Sequence, residues 1–499
     1  MANVVERAIA ALSPAWAARR AHDRRILAYY EAATPGQTRK GRRETASAND
    51  AILRAGSSLR QQARHLEQNH DIALGVLNVL VANTVGATGI TVEPQPRGTD
   101  GAIHADFARE LLDLYKDWCR RPEVTWQHDW PSAQRLLART WYRDGEVFGQ
   151  LVEGVSPWLD HGTKVPLSIE MLEPDFVPMD YQSMSPTIAQ GIEINAWGRP
   201  VGYWVHKQDP AGVMGLLTAH GLKRIESARM LHLANRHRIR QLRGVSVFAS
   251  VLGRLDDLKD YEESERIAAK VAASMAAFIR KGTPDMYETE TDSPRGLKFR
   301  AGMVFDDLKP GEDIGTIDTN RPNPNLESYR SGQLKAVAAG TGPSYSSIAR
   351  TYDGTYSAQR QELVEGWVAY AMLQSEFTAR IVRPTYERFV ALALASGQIK
   401  PPAGIVRETL DDAIYIGPQM PWIDPQKEAE SWATMEDRAY ASGPEIIRRR
   451  GGNPMEVLDQ QQRWQSEKDK RHLNPPPAAN PRPPGRPKAT SPTSPTTGD

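Results

Sequence analysis

One cysteine in 499 residues, Cys119, leaves nothing from which to build an intramolecular disulfide framework or a cysteine-rich zinc site. It falls in a helical pattern of Ile103, Phe107, Leu111, Leu114, Tyr115 and Trp118, where packing rather than catalysis accounts for it. An excess of either charge is missing too, because 62 Lys+Arg nearly cancel 61 Asp+Glu. Proteins that grip nucleic acid over their whole surface draw most of that affinity from phosphate contacts with Lys and Arg. Near-neutrality therefore argues against a wrapping or coating protein, but not against one that lets DNA pass. The N-terminus lacks an apolar core followed by a small-residue cleavage site, so folding in a reducing cytoplasm is expected. No residue from Ile72 to Val92 is charged, yet Asn78, Asn83, Thr84, Thr88 and the glycines at 75, 86 and 89 make a poor bilayer helix. A buried helix over Ser58–Asn83 leading into a strand near Gly89–Glu93 is expected instead, with no membrane as partner.

Catalytic constellations are also lacking. His232 and His237 are five apart, which does not stack them on one helical face, and the carboxylate of a helical zinc motif is absent. Gly36–Arg43 (GQTRKGRR) has the glycine spacing of a phosphate loop, but Arg42 and Arg43 stand where Lys and Ser/Thr should be. Asp411 and Asp412 are adjacent, so their side chains diverge on helix or strand alike. No GxSxG elbow occurs. The expectation is a non-enzyme with no cofactor and no metal site.

A chain of this length can hold more than one domain. Residues 1–57 are polar and basic, including Arg39, Lys40, Arg42 and Arg43, and read as an exposed arm. Helical patterns follow over Ser58–Asn83, Ile103–Arg120 and Trp130–Arg143, the last opened by Pro131 and stopped at Gly145. Short strands are expected at Val147–Val152, Leu167–Leu172, Gly191–Ile194 and Val201–His206, the last two joined by the turn Asn195–Pro200. Further helices are expected over Leu326–Ala339, Ala358–Ala395 interrupted by Pro384, Lys427–Ser442 and Pro444–Lys470. The last 25 residues hold nine prolines and no large apolar residue, and read as disordered.

The most distinctive stretch lies between Arg229 and Phe278. Arg229, Arg236, Arg238, Arg240, Arg243 and Arg254 come with no acid among them. They lead into a proline-free pattern over Ser246–Ile279 whose apolar face is Phe248, Val251, Leu252, Leu255, Leu258, Val271, Met275 and Phe278. Such a rod would reach roughly 50 Å at about 1.5 Å per residue. Its early outward positions carry Asp256, Asp257, Asp260, Glu262, Glu263 and Glu265 against Lys259. By itself this is an amphipathic helix with a solvated acidic face. Ser344–Arg360 (SYSSIARTYDGTYSAQR) sets three tyrosines beside Arg350 and Arg360, a pairing suited to transient contact with bases or phosphates, or to a plain surface connection.

Four stretches resemble the lambda-like family of bacteriophage portal proteins: Arg64–Val92, Arg240–Tyr261 with its Arg-Gly-Val-Ser lead into a long helix, Tyr345–Trp367, and Trp422–Glu456 with an Ile-Asp-Pro start and a Gly-Gly-Asn turn. The resemblance spans residues 20–470. It implies an α+β, mainly helical portal fold with wing, stem, clip and crown regions, assembled as a homo-oligomeric ring of about twelve copies. Its implied partners are double-stranded DNA in the channel, an ATP-driven terminase, head-tail connector proteins, and major capsid and scaffold proteins. Carried over, the divisions are an arm at 1–57, wing at 58–169, clip at 170–235, stem at 236–282, wing again at 283–342, tunnel loop at 343–361, wing and crown helices at 362–470, and a tail at 471–499. Asp256, Asp257, Asp260 and Glu263 would then line the channel. Arg350, Tyr352, Asp353, Tyr356 and Arg360 would belong to the tunnel loop, and Arg236, Arg238, Arg240 and Arg243 to a basic rim. A metal-dependent nuclease and a capsid shell subunit are the competing classes.

Overall fold

The structure, a computed structural model, describes residues 45–185, 187–210, 221–273, 277–281, 312–316, 323–421 and 424–471, with short pieces at 13–16, 18–20 and 22. Most of the basic arm with its Gly36–Arg43 stretch, most of 283–325, and the proline-rich tail lie outside the described residues.

Helix α1 (Ala48–Asn69) starts where the Ser47 hydroxyl accepts the Asp50 N–H at 3.1 Å. His70, with φ −131°, breaks the helix, and its Nδ1 accepts the Ile72 N–H at 3.2 Å to cap α2 (Asp71–Thr84). The single helix expected over Ser58–Asn83 is thus two, because a histidine can cap as well as continue a helix. Helix α2 buries Ile72, Ala73, Val76, Leu77, Leu80 and Val81 around most of its circumference. That burial explains the uncharged run, and among the described residues no helix is long and apolar enough to cross a membrane.

Strand β1 (Thr91–Pro94) leads to α3 (Ala105–Trp118) and α4 (Trp130–Asp144), the latter capped by Asp129 and stopped at Gly145 with φ 89°. Strands β2 (Glu146–Glu153), β3 (Leu167–Leu172) and β9 (Met230–Ala234) form an antiparallel sheet in the order β3-β2-β9. Between β3 and β9 the chain makes a second antiparallel sheet, from β4 (Ser183–Met184), β5 (Thr187–Ala189), β6 (Ile192–Ile194), β7 (Pro200–His206) and β8 (Leu222–Glu226). The Asn195 turn joins β6 to β7 as expected.

The helix expected over Ser246–Ile279 is shorter. Residues 247–251 form turns, α5 runs Leu252–Ala273, and Ala277–Lys281 is β10, paired antiparallel with β11 (Glu312–Thr316). At about 1.5 Å per residue the 22-residue helix spans roughly 33 Å. Phe278 and Ile279, which fit a helical face by spacing, pair across a ladder instead.

Helices α6 (Leu326–Thr341), α7 (Tyr345–Ala349) and α8 (Tyr356–Phe377) follow. The interruption anticipated at Pro384 is a π-helical turn, Thr378–Val382, with Pro384 in the first turn of α9 (Arg383–Ala395). Strand β12 (Ala413–Ile416) returns to pair with β1, closing the far end of the chain onto its beginning. Helices α10 (Pro425–Asp437), α11 (Gly443–Arg449) and α12 (Pro454–Lys470) end the described chain. The main core joins α2, α3, α4, α5 and α9 around Leu77, Trp118, Trp141, Leu255 and Phe389. A smaller core under the five-stranded sheet holds Phe148, Ile192, Tyr203 and Val205.

Candidate functional site

The chain approaches α5 through a buried ionic knot. Arg243 is wholly buried, so it cannot serve the basic rim expected of it. Its Nε donates to Glu146 Oε1 at 2.8 Å, and its Nη1 donates to the Val177 and Gln190 carbonyls at 3.0 and 2.8 Å. Its Nη2 donates to the Pro174 carbonyl at 3.1 Å. One guanidinium therefore ties the start of β2, the turn after β3 and the β5–β6 turn together. Glu146 also accepts from the Gly244 N–H at 2.9 Å and pairs with Arg60 at 3.4 Å. Burial pushes the Glu146 carboxyl upward, but Arg243, His232 and Arg60 outweigh it and hold the pKa at about 2.

His232 stacks on Phe148 and sits between Glu146 and Arg236. Its Nδ1 faces the donating Arg236 Nη2 at 3.3 Å, which leaves Nε2–H to donate to Glu146 Oε2, also at 3.3 Å. Burial lowers its pKa to about 4, so the ring is neutral near pH 7. It is a wedge of the knot, and among the described residues no cluster of three His, Cys, Asp or Glu could hold a metal ion. Next to the knot, Arg64 and Arg143 both clasp buried Asp144, and Arg139 and Arg143 share Glu67. The crossing is so tight that a Cβ on Gly244 would lie 2.0 Å from the Gly145 carbonyl oxygen.

The other three arginines of the expected rim are exposed. Arg236 donates to the Leu242 carbonyl at 3.3 Å and Arg238 to the Ala46 carbonyl at 3.1 Å. Arg240 takes φ 64°, and its own carbonyl accepts from Asn49 Nδ2 at 3.1 Å.

Helix α5 anchors by Leu252, Leu255 and Leu258, and the His70 Nε2–H donates to the Leu255 carbonyl at 3.1 Å. Opposite this anchor, Asp256, Asp257, Asp260 and Glu263 are all exposed. Only Glu263 meets a cation among the described residues, Arg266 at 3.4 Å on the same helix. Glu262, on the flank, pairs with Arg330 of α6 at 2.7 Å, and Glu265 is buried, so the acids read as one class from sequence fall into three environments.

Residues 350–355 join α7, which packs on α6, to α8. Arg350 ends α7 at φ 56°, and the Thr355 hydroxyl caps α8. Tyr352, Asp353, Tyr356, Arg350 and Arg360 are exposed, and a cavity of about 230 Å³ brings Tyr352, Tyr356 and Arg360 together with Ser346 and Glu362. The Gln359 amide holds the loop by donating to the Gly354 carbonyl at 3.2 Å. The loop and the acidic face of α5 are thus carried by neighbouring elements, α7 and α5 both packing on α6. The sequence reading missed Glu146, Arg60 and His70. The one available signal was spacing: Ile52, Gly56, Arg60 and Ala63 recur in threes and fours, placing Arg60 on the buried face of α1.

A probable portal protein of Halomonas phage phiHAP-1 is 24% identical over 84% of this chain and 82% of its own length. Portal protein B of Escherichia phage lambda is 22% identical over 57% of this chain and 60% of its own length. Among solved structures, the neck of an empty gene transfer agent particle is similar at TM-score 0.43 and 16% identity, covering 80% of this chain and 94% of that one. A portal protein of the HK97 family from Corynebacterium diphtheriae is similar at TM-score 0.34 and 16% identity, covering 67% of this chain and 93% of that one. The family described as phage portal protein, lambda family, matches residues 34–374. Because that match takes in more than two-thirds of the residues, including the ionic knot, α5 and the loop before α8, the chain belongs to the lambda family of phage portal proteins.

Proposed function

We propose that copies of this chain close into a ring of about twelve at one vertex of the capsid, around a bore that passes double-stranded DNA during packaging and ejection. The single observation that carries this reading further than family membership is the face of α5. After folding, Asp256, Asp257 and Asp260 stay exposed and form no ion pair among the described residues, while the neighbouring Lys259 donates to the Asn69 carbonyl at 3.0 Å. A bore must guide the duplex without holding it, and each phosphate neutralised by Lys or Arg would add salt-sensitive affinity. Acids on the wall repel the backbone. Arg350, Tyr352, Asp353, Tyr356 and Arg360 would meet the duplex at the narrowest point, and the exposed Arg236, Arg238 and Arg240 would form the rim.

In this assignment α5 is the stem, residues 58–169 and 283–342 form the wing, and the five-stranded sheet within 170–235 is the clip. Residues 343–361 form the tunnel loop and 362–470 the wing and crown helices. The ring would dock a separate ATP-driven terminase, then head-tail connector proteins, amid major capsid and scaffold proteins. No catalytic role is assigned to the chain, and plasmid incubated with it and magnesium or manganese is expected to stay intact.

The test is assembly followed by DNA retention. Purified protein should give rings of uniform mass by native mass spectrometry. Rings carrying Asp256→Asn, Asp257→Asn and Asp260→Asn together should hold a short duplex about tenfold more tightly at low salt than unsubstituted rings. Equal retention by both would remove the acids from the wall.

A further inference from the structure

The segment 350–355 between α7 and α8 is fixed at both ends. Upstream, Ile348 of α7 is buried, and the Tyr345 hydroxyl donates to Ser331 Oγ of α6 at 3.2 Å. Glu362 of α8 accepts from the Ser346 hydroxyl, and from the Ser346 N–H at 3.5 Å. Downstream, the Thr355 hydroxyl accepts the Ala358 N–H at 3.4 Å and opens α8. The middle lacks packing of this kind, because Tyr352, Asp353 and Gly354 are all exposed. Apolar burial therefore does little to offset the backbone entropy lost in ordering them. Among the described residues, the hydrogen bonds that reach these three come from one side chain, Gln359 in the first turn of α8. Its Nε2 donates to the Gly354 carbonyl at 3.2 Å and also to the Tyr352 carbonyl. A primary amide has two N–H bonds, and both are used here on carbonyls two residues apart. The two acceptors also fix which end of the amide faces the loop, since its oxygen would meet two more oxygens there. The stem is seated as well, with Cγ 3.5 Å from where a Cβ on Gly354 would stand.

We infer that Gln359 is a positioning residue: its two-donor head clamps the bend at Tyr352–Gly354 onto α8 and so sets how far Tyr352 and Asp353 stand out from the helix. The inference rests on the tunnel-loop reading above and adds the group that fixes the loop's reach. The chemistry is narrow. The clamp needs two donors on one planar head at the end of a stem of this length, which glutamine and arginine supply. Glutamate has the same shape as glutamine but only acceptors at pH 7, and methionine has the stem without a donor.

The test uses the full chain and chymotrypsin, which cuts after Tyr352 by attacking the carbonyl that Gln359 holds. Cleavage of a folded protein tracks how often the site opens, so Gln359→Met is expected to be cut at Tyr352–Asp353 about tenfold faster than the unsubstituted protein, with fragments identified by mass spectrometry. Gln359→Arg, which restores two donors, should return the rate to that of the parent. The thermal midpoint should be unchanged in both variants, because the side chain lies outside the two hydrophobic cores. Gln359→Glu keeps the shape of the side chain and serves as the second donor-free variant should Gln359→Met melt early. Either of two results would overturn the assignment: equal cleavage of a folded donor-free variant and the parent, or cleavage of Gln359→Arg as fast as that of Gln359→Met. A further arm separates this from the reading beneath it. A short duplex added to assembled rings of the parent should slow the cut at Tyr352; a rate indifferent to the duplex would remove the loop from the bore and leave Gln359 as its clamp.

Discussion

Glu146 receives Arg243, Arg60, His232 and the Gly244 N–H in a volume closed to water, and this concentration of charge sets what single substitutions do. Removing one member of a buried pair strands the other, at a cost of about 3–5 kcal/mol. Arg243→Ala is therefore expected to lower the thermal midpoint sharply, whereas Arg238→Ala, at an exposed position, should leave it nearly unchanged; calorimetry of the two variants checks the contrast. Gly244→Ala should give no soluble protein, because its Cβ meets backbone that cannot yield. The pH dependence has a definite sign. His232 is neutral in the fold with a pKa of about 4, while in the unfolded chain it protonates near its ordinary value of 6.5. The unfolded state thus binds the extra proton first, and stability should fall as pH drops from about 6.5 towards 4. Glu146, held at about 2, adds a loss that begins only below about 4.5. His232→Asn should flatten the first part of that acid limb in urea titrations and leave the second.

At the scale of elements, α5 shows how a helix can be held by few residues and still present a long face. Leu255 and Leu258 are completely buried, and truncating either to Ala should cost about 2–5 kcal/mol, read as a lower urea midpoint. The acids opposite should contribute nothing to that midpoint, since they are exposed and Asp256, Asp257 and Asp260 form no ion pair among the described residues; the Asp256→Asn, Asp257→Asn and Asp260→Asn set is expected to melt no earlier than the parent. The beginning of the element was open to misreading because Phe248 and Val251 continue the helical spacing but serve turns against the main core. Its end was misplaced because residues 277–281 have ladder partners 31 to 39 positions away, Ala277 facing Thr316 and Lys281 facing Glu312, and spacing along the chain carries no record of a partner so distant.

Across the whole molecule, attachment changes character from core to C-terminus. Helices α10, α11 and α12 bury only Pro454 among their described residues. Helices α11 and α12 meet the body through ion pairs, Arg448 with Glu93 at 2.7 Å, Arg109 with Asp459 at 3.1 Å, and Lys116 with Glu456, while Arg449 of α11 lies over the Trp432 ring of α10. The two pairs of α12 are half-exposed and so screened by salt, whose Debye length shrinks from about 10 Å at 0.1 M to about 3 Å at 1 M, whereas Glu93 is buried and its pair with Arg448 is screened less. Amide exchange in α10 to α12 is expected to quicken over that range while α2 and α4 stay protected. Glu93→Gln should produce part of the same loosening at low salt, and an exchange pattern indifferent to salt would show that packing rather than charge holds these helices.

By itself the sequence determined most of the long helices, the strands near 147–152, 167–172 and 201–206, and the likeness in four stretches, because these follow from spacing, turn and capping residues and composition within a short window. The turn Asn195 to Pro200 and the helix opened by Pro131 and stopped at Gly145 were legible for that reason. Only the tertiary structure decided that Arg243 is a buried tie and not a rim charge, that Arg60 and Glu146 face each other 86 positions apart, and that Glu262 and Glu265 leave the outward face kept by Asp256 and Asp260. A charge reads the same in a sequence whether it meets water or a counter-charge, and its role is settled by which elements the fold brings beside it.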